Sequence, residues 1–174
     1  ILKLMNRKHN IKEYLKILEK LKKINSYIEF SSDFIIGYPG ESDQDFEDTI
    51  SLVKKVKFIN SYSYIFSPRP GTIAGELKLI DKKISSERLE KIQRLLSENQ
   101  TEINKSLENQ IINVLVENLT DDKTKAFGRS EHMVPVFFHG KKKNIGEVVQ
   151  VKIRQSNRNT LFGELVNAQD KKVA

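Results

Sequence analysis

The sequence predicts an α/β part over residues 1–108 and a small all-β barrel over residues 109–174. In the first part, helical and strand-like segments alternate, and a short apolar strand runs into a Gly-Tyr-Pro-Gly turn at residues 37–40. A strand end followed by such a loop is typical of the ligand-binding mouth of a (β/α) barrel. The second part is indicated by five short strand-like runs that follow one another closely.

The α/β part has two helices and two strands in an order that favours parallel pairing. Residues 10–25 repeat apolar side chains at helical spacing, and residues 28–36 end in a continuous apolar run typical of a buried parallel strand. Ser42 is a good N-cap residue, and Asp45 three positions later completes a capping box for the next helix. Residues 58–66 are predicted to form the second strand. Helices and strands thus alternate with short connections, which implies parallel strands joined by right-handed crossovers.

A loop and a long helix lead from this part to the predicted barrel. Residues 67–84 contain Pro68 and Pro70 and are expected to form the loop, and residues 86–108 repeat apolar side chains along one helical stripe. Beyond them, apolar and polar residues alternate in short runs, which predicts an antiparallel five-stranded β-barrel. The five predicted strands span residues 111–117, 124–129, 134–138, 146–154 and 160–166.

Charge and hydropathy favour a nucleic-acid partner over a membrane. The 174 residues have a formal net charge of +7 at pH 7, and residues 109–174 alone contribute +4, with 11 Lys and Arg against 7 Asp and Glu. This density of positive charge favours an anionic partner. No apolar run approaches the roughly 18 residues that a membrane span needs, so we expect no membrane partner.

The chain has no cysteine, and its three histidines are not spaced as metal ligands are. The chain contains no cysteine, which excludes disulfides and thiolate metal sites within it. His9, His132 and His139 lack the mutual spacing of metal ligands, so we predict no metal site. The chain does not start with Met and its first residues read as the end of a helix, so we expect it to be part of a longer protein.

The two strand exits contain the candidate site residues of the α/β part. Asp33 places a carboxylate in an apolar strand, where burial is costly without a partner. Two roles are open for it, a ligand contact or a structural contact with a neighbouring strand or Arg7, and the residues alone favour the structural role. Arg69 stands between two prolines, where its guanidinium can clamp a phosphate or a carboxylate, although a solvated loop arginine fits the spacing equally well.

Basic and aromatic residues interleave in the predicted barrel, a combination that suits RNA. Cations pair with phosphates, and rings or guanidinium planes stack on unpaired bases. Phe127 and Phe137 are expected to belong to the barrel core instead. The predicted RNA contacts of this part are Arg129, Phe138, Lys152, Arg154 and Arg158.

Several motifs, in order, resemble the methylthiotransferases of the radical S-adenosylmethionine superfamily over essentially the whole chain. The motif Ser-Pro-Arg-Pro-Gly-Thr at residues 67–72 favours the tRNA-modifying members over the one that modifies a ribosomal protein. Segments of the first part resemble the last part of that family's radical S-adenosylmethionine barrel, and those of the second part its TRAM domain, a small RNA-binding β-barrel. These segments are residues 4–8, 32–42, 67–72, 128–130, 136–138, 145–153 and 161–165.

The resemblance implies S-adenosylmethionine and two [4Fe–4S] clusters in the full-length enzyme. Clusters of this kind need thiolate ligands, which this chain lacks, so the ligands are expected outside it and the chain alone is expected to be inactive. By resemblance, residues at the strand exits line the S-adenosylmethionine and substrate side of the barrel mouth, with Arg69 towards the RNA. The residues on the cofactor side are Asp33, Gly37, Tyr38, Pro39, Gly40, Phe66 and Ser67.

The implied reaction adds a methylthio group to C2 of an isopentenylated adenosine beside the tRNA anticodon. The implied partner is the tRNA anticodon arm, and we expect a cytoplasmic monomer. Two alternatives stay open. One is a methylthiotransferase that modifies an aspartate of a ribosomal protein, and the other is a stand-alone RNA-binding module in which the α/β part is a scaffold.

Overall fold

The computed structural model describes residues 1–121 and 124–166. The chain divides into two compact units, Ile1–Leu96 and Ser97–Ala174, which are described separately. The division falls inside the long helix α3 (Lys82–Ser106), which begins in the first unit and ends in the second.

The first unit contains two parallel strands and the helices that cover one face of them. Strand β1 pairs with β2 in the register Asp33 opposite Tyr62 through Ile36 opposite Ile65. Both strands are shorter than predicted, at four residues each. The elements in order are α1 (Ile11–Ile24), β1 (Asp33–Ile36), α2 (Asp43–Val56), β2 (Tyr62–Ile65), a short 3₁₀ helix (Ile73–Glu76) and the start of α3.

Burial alternates along β1, so the expectation of a continuously buried apolar strand is wrong. Phe34 and Ile36 join the core, whereas Ile35 between them is 39% exposed. Successive strand residues point to opposite faces, and only one face of this sheet is covered in the described residues. The core on the covered face consists of Phe34, Ile36, Phe46, Ile50, Val53, Phe58, Ile92 and Leu96.

The start of α2 matches the capping box predicted from the sequence. The Ser42 hydroxyl accepts a hydrogen bond from the backbone N–H of Asp45 at 3.1 Å, and the Asp45 carboxylate accepts one from the backbone N–H of Ser42 at 2.9 Å. Two orphan donors at the helix start are thereby satisfied, and the carboxylate also lies at the positive end of the helix dipole.

The second unit is a closed five-stranded barrel in the order β3-β4-β5-β7-β6, which confirms the predicted strand number. Four of the five pairings are antiparallel, but β5 and β7 run parallel, so the expectation of a fully antiparallel barrel is wrong. The reason is geometric, because in a closed ring of five strands the directions cannot alternate throughout. The strands are β3 (Ile111–Leu119), β4 (Ala126–Ser130), β5 (Pro135–Phe138), β6 (Val148–Ser156) and β7 (Leu161–Leu165).

The barrel interior is filled by alternate side chains of all five strands. Gly128 marks the tightest approach, because a Cβ there would lie 2.3 Å from the carbonyl oxygen of Leu115 on the neighbouring strand. In the segment Gly128-Arg129-Ser130, the first position therefore requires glycine, Arg129 lies on the outer face and Ser130 is buried. Side chains that are fully or almost fully buried in the barrel include Val114, Val116, Ala126, Val136, Phe138, Val151, Ile153 and Leu161.

Candidate functional site: a strand-exit turn and a barrel surface

The ends of β1 and β2 lie side by side, as parallel strands require. The backbone N–H of Phe66 donates to the carbonyl oxygen of Ile36 at 2.8 Å, which extends the ladder one residue beyond β2. The rings of Tyr38 and Phe66 then meet edge to face, with centroids 5.1 Å apart. The structure thus brings together residues from both predicted strand exits.

A buried ion pair fixes the turn that follows β1. The Glu41 carboxylate, whose side chain is 4% exposed, accepts hydrogen bonds from the backbone N–H of Gly37 at 3.0 Å and from Arg88 at 2.7 Å. Arg88 also donates to the Glu41 carbonyl oxygen and to Asp43. Burial lowers the pKa of Arg88, but hydrogen bonds with Asp43 and Glu41 outweigh it, so the net pKa is raised and the guanidinium stays charged.

The sequence did contain a signal for Arg88, which the prediction missed. Arg88 lies four residues before Ile92 and eight before Leu96, so it falls on the buried stripe of α3. A cation at such a position needs a charged partner. Glu41, in the turn directly before the Ser42 cap, supplies it.

The residues of the Gly-Tyr-Pro-Gly turn divide into a packed group and an exposed one. Gly37 has φ +72°, which favours glycine, and a Cβ there would also lie 2.6 Å from the Ser85 hydroxyl oxygen of α3. Tyr38 is buried and donates its hydroxyl to the Leu4 carbonyl oxygen at 3.1 Å. Pro39 is buried as well, whereas Gly40 is exposed.

Asp33 is exposed at the first residue of β1, so its carboxylate avoids the cost of burial and needs no buried partner. It lies on the uncovered face of the sheet and makes no ion pair with any other described residue, Arg7 included. Three large side chains share that face, namely Ile35, Tyr62 and Tyr64, all of them exposed. We call these four residues the open face.

The loop after β2 exposes its polar groups. Ser67 and Arg69 are both exposed. The carbonyl oxygen of Arg69 accepts a hydrogen bond from the Thr72 hydroxyl at 2.8 Å, and Thr72 in turn caps the short 3₁₀ helix by accepting from the Gly75 N–H. The backbone of this loop is therefore held by a local turn in which Arg69 is exposed.

Two of the predicted RNA-binding arginines are held by carboxylates on the barrel surface. Arg129 lies 3.2 Å from Glu117, and Arg154 donates to Glu164 at 3.0 and 2.9 Å. Arg158 is exposed in the turn between β6 and β7, where its carbonyl oxygen accepts a hydrogen bond from Asn104 of α3. Lys152 is half-buried in β6.

The predicted roles of the barrel phenylalanines are reversed in the structure. Phe138 is 2% exposed and fills the barrel interior, so the prediction that it contacts RNA is wrong. Phe127 and Phe137 were expected in the core but are half-buried on the outer face. The cause is the period of two in a strand, because an error of one position exchanges the inner and outer faces.

The described residues contain neither a candidate metal site nor a candidate membrane span. Across residues 1–121 and 124–166, no group of three or more His, Asp or Glu side chains is arranged to hold a metal ion. No helix within those same ranges has the length and hydropathy needed to cross a membrane.

Family comparisons agree with the division of the chain into two units. Residues 1–53 match the model of the radical SAM superfamily, and residues 105–166 match the TRAM domain. The second match covers the whole closed barrel. The first unit is therefore similar in part to radical SAM proteins, and the second unit is similar to TRAM domains.

Three curated proteins that are similar to this chain are named tRNA-2-methylthio-N(6)-dimethylallyladenosine synthase. The protein from Pelagibacter ubique (strain HTCC1062) is 62% identical over all 174 residues of this chain. Those from Ruthia magnifica subsp. Calyptogena magnifica and Wolbachia pipientis wMel are 42% and 40% identical, over 95% and 94% of the chain. The chain spans only 38–39% of the length of these relatives.

Proposed function

We propose that this chain is part of a tRNA-modifying radical SAM methylthiotransferase. In this proposal, the longer protein adds a methylthio group to C2 of an isopentenylated adenosine beside the anticodon, in the cytoplasm. The strongest support is the 62% identity along the entire chain to a relative named as such a synthase. The residues of this chain contribute positioning and RNA binding.

The barrel is the tRNA-binding part in this proposal. Its sequence matches a TRAM domain, and residues 109–174 have a charge of +4. Phosphate contacts by Lys and Arg dominate the affinity of proteins for nucleic acids. The cations proposed to meet the anticodon arm are Arg129, Lys152, Arg154 and Arg158, with Arg69 in the first unit.

The residues of this chain do not fit an iron–sulfur cluster. Cluster ligands are thiolates, and the chain has no cysteine, so in the longer protein both clusters belong to other residues. A contact with S-adenosylmethionine fits the strand exits better. Gly40 and Ser67 are exposed there, and nothing lies within 4 Å of where a Gly40 Cβ would be. When bound, S-adenosylmethionine supplies the radical chemistry.

The open face supports a barrel interior in the longer protein. Ile35, Tyr62 and Tyr64 place three large side chains in one exposed patch beside Asp33. Such patches are uncommon on a finished protein surface. In our proposal they face the interior of the completed barrel, where Asp33 is directed towards the cofactor or the substrate.

A chimaeric enzyme tests the proposed activity. The 174 matching residues of the Pelagibacter ubique relative are replaced by this chain, and bulk tRNA nucleosides from a host lacking its own synthase are analysed by mass spectrometry. We expect the methylthio nucleoside to appear. If only the unmodified isopentenyl nucleoside accumulates while the chimaera is folded and loaded with clusters, the proposal fails.

The same chimaera tests the open face. Asp33→Ala is expected to lower turnover without unfolding the protein, because the Asp33 side chain is exposed in this chain. Glu19→Ala removes an exposed carboxylate from α1 and serves as the matched control. Equal turnover in the two variants would show that Asp33 does not contribute to the reaction and is an ordinary surface residue.

RNA binding separates the tRNA enzyme from one that modifies a protein. The 174-residue chain is titrated with an anticodon stem-loop and with an acceptor-stem hairpin of equal length, at two salt concentrations. We expect tighter binding of the anticodon stem-loop, with affinity falling at a log–log slope of roughly −0.7 to −0.9 per phosphate contact. Absence of binding even at low salt would favour a protein substrate.

A further inference from the structure

Three phenylalanine rings form a continuous stripe on the outer face of the barrel. Phe127 of β4 lies directly opposite Phe137 of β5, and Phe137 lies directly opposite Phe162 of β7. The ring centroids are 5.2 Å apart in the first pair and 6.1 Å apart in the second, where the rings are stacked. All three side chains are half-buried, so part of each ring remains accessible. We call them the aromatic stripe.

The barrel core does not need these rings. The residues that alternate with them along the strands, Ala126, Val136 and Leu161, are completely buried and fill the interior. Phe138, the fourth phenylalanine of the barrel, also points inward. The aromatic stripe is therefore an addition to the outer surface of a barrel whose core is already complete.

Arginines stand at both sides of the stripe. The Arg129 guanidinium lies 6.0 Å from the centre of the Phe127 ring while it pairs with Glu117. On the other side β6 adjoins β7, and Arg154 at the β-bulge of β6 pairs with Glu164. Exposed ion pairs contribute little to stability, so a phosphate can replace either carboxylate as the partner of the guanidinium.

We propose that the aromatic stripe is a stacking platform for unpaired RNA bases, with Arg129 and Arg154 contacting the flanking phosphates. The inference rests on the proposed function, in which the barrel binds tRNA. Aromatic rings beside cations recognise single-stranded RNA, because every base presents a π-face and every nucleotide a phosphate. The +4 charge of residues 109–174 favours this occupant over an apolar protein surface.

Removing single rings tests the platform in the 174-residue chain. Phe127→Leu, Phe137→Leu and Phe162→Leu keep the apolar contact with the barrel but remove the π-face. The probes are an oligonucleotide of anticodon-loop sequence and an abasic ribose-phosphate oligomer of equal length. We expect each variant to bind the first probe roughly fivefold more weakly and the second unchanged. Tyr27→Leu, which alters an exposed ring of the first unit, should change neither.

A tryptophan reporter gives a second readout that does not depend on affinity. The chain has no tryptophan, so Phe137→Trp introduces a single indole into the stripe, which can be excited selectively beside the five tyrosines. Stacked bases are expected to quench its emission, and the abasic oligomer is not. Tyr27→Trp is the control and should respond to neither probe.

The possible outcomes separate the platform from the proposed function. If the parent chain binds the anticodon stem-loop but the leucine variants bind both probes as it does, the platform is overturned and the proposed function stands. If the parent chain binds no RNA at low salt, both fail. If sedimentation shows a dimer that Phe137→Leu dissociates, the stripe is a contact between copies of this chain, which also overturns the platform.

Discussion

The two sheets of this protein differ in how completely they are closed. In the described part of the first unit, β1 and β2 form a two-stranded sheet that is covered on one face and exposes Ile35, Tyr62 and Tyr64 on the other. In the barrel, every strand has two neighbours and the inward side chains are buried against one another. Every barrel strand is therefore paired along both of its edges. Within the described residues, β1 and β2 are each paired along one edge only, and one face of their sheet is exposed.

This difference shows which interactions stabilise each unit. Because two strands alone are marginal, the first unit depends on its helices and on the polar contacts that attach them to the strand-exit turn. The barrel depends on apolar packing inside a closed ring. Substitutions in the two units should therefore act through different mechanisms. All five tyrosines, at positions 14, 27, 38, 62 and 64, belong to the first unit, so tyrosine fluorescence reports on that unit alone.

The largest expected effect comes from the barrel core. Phe138→Ala should destabilise the barrel by about 3–5 kcal/mol, because a large buried ring leaves a cavity. Phe137→Ala is the matched control, since its ring is only half-buried, and it should cost clearly less. Amide hydrogen exchange of the barrel strands, read by mass spectrometry, measures both. Equal costs would contradict the assignment of Phe138 to the inside and Phe137 to the outside.

The ion pair at the strand-exit turn should give the next largest effect, and in the first unit only. Arg88→Met leaves the buried Glu41 carboxylate without its cation, which should cost about 3 kcal/mol in denaturant unfolding followed by tyrosine fluorescence. Arg94→Met breaks an exposed pair with Glu90 on the same helix and should cost less than about 0.5 kcal/mol. Loss of protection in the barrel strands of Arg88→Met would contradict the independence of the two units.

The number of barrel strands and the start of α2 could be predicted from the sequence, because they depend on local patterns, whereas α3 begins at Lys82, four residues before its predicted start. The five barrel strands follow from alternation, and the start of α2 follows from the Ser42 and Asp45 pair. The parallel β5–β7 pairing depends on ring closure, which no local pattern records. Phe138 was misplaced because adjacent phenylalanines fit either face, although Val134 and Val136, both buried, indicate the inward positions.

The capping box of α2 should have a moderate effect on the first unit. Ser42→Ala removes the hydroxyl that accepts from the Asp45 N–H, which should cost about 1 kcal/mol in the same fluorescence-detected unfolding. Ser51→Ala changes an exposed serine in the middle of α2 and should leave stability unchanged or slightly higher, since alanine is the better helix former. If both variants behave alike, the cap contributes nothing measurable.

The smallest expected effect is a pH dependence at the same cap. Hydrogen bonds from the Ser42 hydroxyl and backbone N–H lower the pKa of Asp45 below its usual value. A carboxylate whose pKa is lowered on folding stabilises the protein above its unfolded pKa, and this stabilisation is lost as the pH falls below about 4. Because Asp45 is only half-buried and water screens its charge, Asp45→Asn should cost about 0.5 kcal/mol or less near neutral pH, and the difference from the parent should shrink towards about pH 3. In the Ser42→Ala background the same change should cost less still, because the hydroxyl donor is gone. A cost that stays constant from neutral to acidic pH would show that the charge of Asp45 does not matter and that only the shape of its side chain does.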